Sequence, residues 1–150
     1  MIKDRPRRLE LIYLNQPLYF VTFCTRNRKR IPSLECAHST FKKYAERGFA
    51  QFAVVVGRYA IMPDYVHLFV AVGSDSTLSQ WVGGLKRAIS VGLQIKHRLW
   101  QPGFFDHIVR SNESYAKKWE YVRENPVRAG LVKQTDDWPF QGEIVLIDRG

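Results

Sequence analysis

The sequence reads as an α+β fold: a ferredoxin-like split βαβ antiparallel sheet with helices on one face and a further C-terminal helix added after it. Three observations predict this. Strand and helix patterns alternate in the order β-α-β-β-α-β-α along the 150 residues. Two β-rich runs in the middle are separated only by Pro63-Asp64, a turn pair that makes them an antiparallel hairpin. Two long stretches repeat apolar residues at helical spacing, which suits them to cover one face of such a sheet.

Taken in order, "LYFVTFCT" (Leu18–Thr25) is β-rich and mostly apolar, and the basic cluster "RNRKRIP" closes it as a loop. Leu34 to Gln51 reads as a helix, with Phe41, Tyr44, Ala45 and Phe49 recurring on one side. "FAVVVGRYAIM" (Phe52–Met62) and "YVHLFVAV" (Tyr65–Val72) are the two arms of the hairpin. Thr77 begins a second helix expected to run to about Arg98, with Leu78, Trp81, Leu85 and Ile89 on its inner face. "FFDHIVR" (Phe104–Arg110) is a short fourth strand. Ser111-Asn112-Glu113 then opens the added helix, which Pro126 must end or kink. "GEIVLID" is expected to form a last edge strand. No linker, repeat or low-complexity tract divides the chain, so residues 1–150 are expected to be one domain, with a basic arm over residues 1–15.

The charge balance points to a polyanionic partner. There are 23 Lys and Arg against 14 Asp and Glu, a formal charge of +9, and each phosphate neutralised by such groups releases condensed counterions. No run approaches a membrane span, and "MIKDRPRRLE" lacks the apolar segment of a signal peptide. Cys24 and Cys36 have neither metal-ligand spacing nor a secreted framework, so they read as reduced thiols in a cytosol.

Two constellations carry possible chemistry. Along the third strand, period-two alternation places Tyr65, His67 and Phe69 on one face and Val66, Leu68 and Val70 on the other. The aliphatic set belongs to the core, so Tyr65 and His67 look outward together. Aromatic residues on a strand commonly just pack, and a lone histidine commonly just finds a hydrogen bond. On the late helix, Tyr121 and Asn125 are four residues apart and project from one side, with Cβ atoms about 5–6 Å apart. The amide oxygen of Asn125 is a neutral hard ligand of the kind Mg²⁺ or Mn²⁺ accept, and a phenol such as Tyr121 can act as a nucleophile towards a phosphodiester. The alternative is that Tyr121 fills a groove while Asn125 caps a helix end, and spacing alone does not decide between them.

"YFVTFCTRNRKRI", "YAIMPDYVHLFV", "WQPGFFDHIVRSNES" and "YVRENPVRAGLV", in that order, together resemble the REP-associated tyrosine transposases, insertion-sequence transposases with one catalytic tyrosine within the wider HUH endonuclease group. The resemblance runs from about Arg5 to Val132. It implies a ferredoxin-like sheet with the nucleophilic tyrosine on a following helix, and a bacterial, cytoplasmic, nucleoid-associated protein. It implies Tyr121 as the nucleophile, and His67 and Asn125 as ligands of Mg²⁺ or Mn²⁺. The family's other metal-binding histidine falls at Tyr65. The activity implied is cleavage and rejoining of hairpin-bearing single-stranded DNA through a 5′-phosphotyrosine, with a decayed or domesticated hairpin-binding protein of the same fold as the alternative.

Candidate DNA contacts follow from the distribution of charge. Arg5, Arg7 and Arg8 lie in the basic arm, and Arg26, Arg28, Lys29 and Arg30 cluster in one loop. Lys86, Arg87, Lys96 and Arg98 lie on or near the second helix. Interleaved aromatics such as Trp100, Phe104 and Phe105 suit a single strand, on whose bases they can stack. His107 is an auxiliary candidate for a proton or phosphate contact. An RNA-binding sheet of the same topology is a more distant reading, but the strands carry no RNP-like aromatic motif. The short connection Arg110–Glu113 favours a monomer whose added helix packs on its own sheet, with a dimer as the alternative.

Overall fold

A computed structural model describes residues 16–147 and the backbone of residues 7–9. Arg5 lies outside the described residues, and so do the side chains of Arg7 and Arg8. The strands are β1 (Arg7–Leu9), β2 (Leu18–Cys24), β3 (Val55–Ile61), β4 (Tyr65–Ala71), β5 (Phe105–Val109), β6 (Gln141–Glu143) and β7 (Val145–Ile147). The helices are α1 (Leu34–Phe52), α2 (Leu78–Gly92), α3 (Asn112–Arg123) and α4 (Asn125–Arg128). Five strands form one antiparallel sheet in the order β5-β2-β4-β3-β6, and β1 pairs with β7 in a separate parallel pair. The first four of these are the split βαβ expected from the sequence: β2-α1-β3 is a crossover, and β4 inserts between its two strands. The "GEIVLID" segment divides, so that β6 extends the large sheet beside β3 while β7 leaves it for β1.

Strand alternation sorts β4 as its sequence requires. Val66, Leu68 and Val70 pack with Phe41 and Ala45 of α1 and with Trp81, Leu85 and Ile89 of α2. The opposite face carries Tyr65, His67 and Phe69. Its Phe69 end lies beneath α3, in a cluster with Tyr115, Trp119 and Val122. The added helix therefore docks on its own sheet, on the face opposite α1 and α2.

That docking depends on a bulge. The β3–β4 register shifts between Val56 and Tyr59, so that Gly57 and Arg58 together span one step of β4. The N–H of Arg58, released from the ladder, donates to the Tyr115 hydroxyl at 2.9 Å. A Cβ at Gly57 would stand 2.3 Å from that same oxygen, so only glycine admits the helix this closely. Burial pushes the Tyr115 hydroxyl well above its ordinary pKa, keeping it neutral.

Two helix ends refine the expected boundaries. α1 and α2 are N-capped by Ser33 and Thr77, whose hydroxyls accept from the N–H groups of Cys36 and Gln80. α2 stops at Gly92 rather than near Arg98. Gln94 turns left-handed (φ 59°), and the N–H of Ile95 closes back to the Ser90 carbonyl at 3.0 Å. α4 ends the same way: Gly130 takes φ 74°, and the N–H of Leu131 bonds to the Pro126 carbonyl at 2.9 Å. Among the described residues no helix is long and apolar enough to cross a membrane.

Candidate active site and nucleic-acid interface

The open half of the second sheet face is built around His67. Its Nδ1 shares a hydrogen bond of 2.7 Å with Oγ1 of Thr22, which faces it from β2 in the strand register. The Phe20 ring stacks on the imidazole at 5.0 Å between centroids, and Tyr65 meets it edge-on at 4.8 Å. Burial, and secondarily the Lys118 ammonium, lower the pKa of His67 to about 4, so the imidazole is neutral at physiological pH. Tyr65 moves the other way. Burial first, and the Asp64 carboxylate second, raise its pKa above the usual phenol value, while Arg128 and Arg28 oppose them weakly. His107 lies further along the same face, exposed on β5 and paired in register with Phe20.

Tyr121 is brought to this face by α3. Tyr115, Trp119 and Val122 are the helix's buried side, and Tyr121 stands 64% exposed beside them. Lys118, one turn earlier, places its Nζ 4.8 Å from the Phe20 ring and 5.9 Å from the Tyr121 ring, bridging the His67 cluster and the tyrosine. α3 pauses at Glu124, and α4 continues with Asn125 first and Pro126 in its opening turn, where a missing N–H costs nothing. Arg128 then folds back. Its guanidinium lies 4.4 Å over the Tyr121 ring, and its Nη2 donates to the Tyr121 carbonyl at 2.6 Å and to Oδ1 of Asn125. Tyr121 and Asn125 thus do belong to one constellation, and Arg128 holds them together.

A family model described as "Transposase IS200 like" matches residues 14–125, and that span reaches from the first sheet strand through α3 to Asn125. The chain belongs to this family. The chain is 28% identical over 134 residues to a REP-associated tyrosine transposase of Escherichia coli K12, covering 85% of this chain and 77% of the relative. In fold it resembles a REP-associated tyrosine transposase solved bound to a REP hairpin, with a TM-score of 0.71 at 22% identity, over 94% of this chain and 82% of that one.

The donors around His67 in this transposase do not suit Mg²⁺ or Mn²⁺. Such ions take oxygen ligands, preferably anionic. Here the Asn125 oxygen already accepts from Arg128, and Tyr65 is held as a neutral phenol. The one carboxylate acting on Tyr65, that of Asp64, is paired with Arg28 at 3.1 Å. Among the described residues no three His, Cys, Asp or Glu side chains gather to hold a metal.

The basic residues divide between two places. Arg26, Arg28, Lys29 and Arg30 are all exposed in a loop that the N–H of Ile31 ties to the Pro63 carbonyl at 2.7 Å. Arg28 and Arg30 line a cavity of about 340 Å³ with Tyr65, Asp64 and Leu131, on the Tyr65 side of the site. Arg87, Lys96, His97 and Arg98 line a separate groove of about 590 Å³ beside α2. Lys86 lines the same groove, and its Nζ donates to the carbonyls of Gln101 and Gly103, both at 2.9 Å. Trp100 is structural, buried edge-on against Phe23 with its Nε1–H donated to the Lys86 carbonyl. Phe105, 61% exposed, is the aromatic free to stack.

Sequence reasoning missed Thr22, Lys118 and Arg128. The spacings Lys118–Tyr121 and Asn125–Arg128, each three residues, were readable helical signals. Thr22 needed the strand register.

Proposed function

We propose that this chain binds hairpin-bearing single-stranded DNA and cleaves and rejoins it through Tyr121. The observation that carries this reading is an exposed tyrosine, flanked by two cations, on a helix that docks beside an open basic face. The names of its relatives support the choice of substrate: the E. coli relative is a REP-associated tyrosine transposase, and the similar structure holds a REP hairpin. The Tyr121 oxygen attacks phosphorus in line, a P–O bond forms to the phenol, and the bond to the 3′ oxygen breaks. The phenolic proton ends on that 3′ oxygen, leaving a 5′-phosphotyrosine and a free 3′-hydroxyl. The reverse step rejoins strands without ATP, because the covalent link conserves the phosphodiester. Thr22 holds the His67 ring in place, and Arg128 holds the Tyr121 ring. The docking of α3 on its own sheet supports a monomer.

A second reading, hairpin binding without cleavage, is favoured by one observation: Tyr65 stands where the family keeps a histidine. The two separate on a denaturing gel. The protein is incubated with single-stranded hairpin oligonucleotides in parallel Mn²⁺ and EDTA buffers. A covalent adduct that Tyr121→Phe abolishes, while leaving hairpin affinity intact, is the expected result. Tight hairpin binding with no adduct in either buffer would leave only the binding module.

A further inference from the structure

We propose that Lys118 and Arg128 do at the cleaved phosphate what a divalent cation would otherwise do, so that Tyr121 works without metal. This rests on the cleavage reading above.

Several neighbouring cations are paired: Lys117 with Glu113 at 2.8 Å, Arg123 with Glu120 and Asp136, and Arg28 with Asp64. Among the described residues, Lys118 and Arg128 have no carboxylate partner. Lys118 rests on the faces of Phe20 and Tyr121, and Arg128 on the face of Tyr121 and on two neutral oxygens. Cations on an exposed helix usually find an acidic neighbour or extend into water. Here both are drawn in against the aromatic ring whose hydroxyl makes the bond, one from each side along the helix.

A phosphodiester passing through its transition state gathers charge on the non-bridging oxygens, and fixed cations at that place stabilise it whether they are metal ions or side chains. The guanidinium offers a planar fork of donors suited to two phosphate oxygens, and the ammonium a compact point charge. The same two cations repel a divalent ion, and the carboxylate beside Tyr65, that of Asp64, is already paired with Arg28 at 3.1 Å. Replacing histidine by Tyr65 therefore removes a ligand from a site that has already exchanged metal for side-chain charge.

The test uses Mn²⁺ alone as one probe and a single-stranded hairpin oligonucleotide as the other. Mn²⁺ binding is followed by EPR for the wild type and for Tyr65→His, and adduct formation is timed in EDTA and in Mn²⁺. The wild type should leave the free Mn²⁺ signal unchanged and form adduct at the same rate in both buffers. Lys118→Met and Arg128→Met should each slow adduct formation roughly a hundredfold, the size typical of losing one donor to a developing oxyanion, with melting temperature unchanged. Mn²⁺ bound by the wild type, or adduct confined to the Mn²⁺ buffer, overturns this inference and leaves the cleavage reading standing. Adduct absent from both buffers overturns the two together.

Discussion

The two faces of the central sheet are covered by different means. On one, β4 offers Val66, Leu68 and Val70 to two long helices, and all three are fully buried. On the other, a single 12-residue helix covers the Phe69 end and leaves Tyr65 and His67 half-buried beyond it. It is positioned by one hydrogen bond at a strand bulge as well as by packing. A face sealed by burial tolerates little change in volume. A face half sealed and half open can hold a reactive side chain at its border, and Tyr121 stands there.

Changes that break the sealed face should be the most costly. Phe41 of α1 is wholly buried between the helices and Tyr59, so Phe41→Ala should destabilise by about 3–5 kcal/mol in chemical denaturation. Its effect on adduct formation below the unfolding transition should be small. Gly57→Ala tests the other face. Its Cβ meets the Tyr115 oxygen at 2.3 Å, so α3 must shift, at a cost of about 1–3 kcal/mol. The adduct rate should fall about tenfold further than stability explains, because Tyr121 moves with the helix. Tyr115→Phe removes the hydroxyl and leaves the Arg58 N–H without its partner, for about 1–3 kcal/mol. Combined with Gly57→Ala it should cost less than the sum, since the clash is with the missing oxygen, and a double-mutant cycle measures that difference.

The smallest effect returns to the sealed face. His38 Nε2 hydrogen-bonds the Tyr59 hydroxyl at 2.7 Å, and burial, with Lys42 adding to it, lowers the His38 pKa below 6.5. The histidine is neutral in the fold, so its contribution to stability is complete above 6.5. As pH falls below that value the unfolded chain takes up a proton more readily, and the contribution is lost. Thermal melts should show a decline below pH 6.5 that is shallower in His38→Gln.

Local pattern carried much of this. Alternation along "YVHLFV" placed Tyr65 and His67 together, and the four-residue step from Tyr121 to Asn125 put both on one constellation. Pattern also misled where the same signal serves two purposes. Helical spacing beyond Gly92 suggested a longer α2, but Gln94 adopts a left-handed cap that asparagine or glycine more often signals. Trp100 matched a nucleic-acid surface by composition, and burial assigned it to the scaffold. The catalytic neighbourhood escaped because Thr22 reaches His67 across 45 residues, and Gly57 reaches Tyr115 through a bulge that no periodicity marks.

By itself, the sequence determined the order of the main elements, the two faces of β4 and the shared side of Tyr121 and Asn125. These depend on spacing along the chain, and spacing is local. Only the tertiary structure decided that Lys118 and Arg128 gather on the Tyr121 ring, with no carboxylate partner among the described residues. Charge compensation depends on which side chains meet in space, and Lys118 meets Phe20 across the sheet while Arg128 folds back over Tyr121.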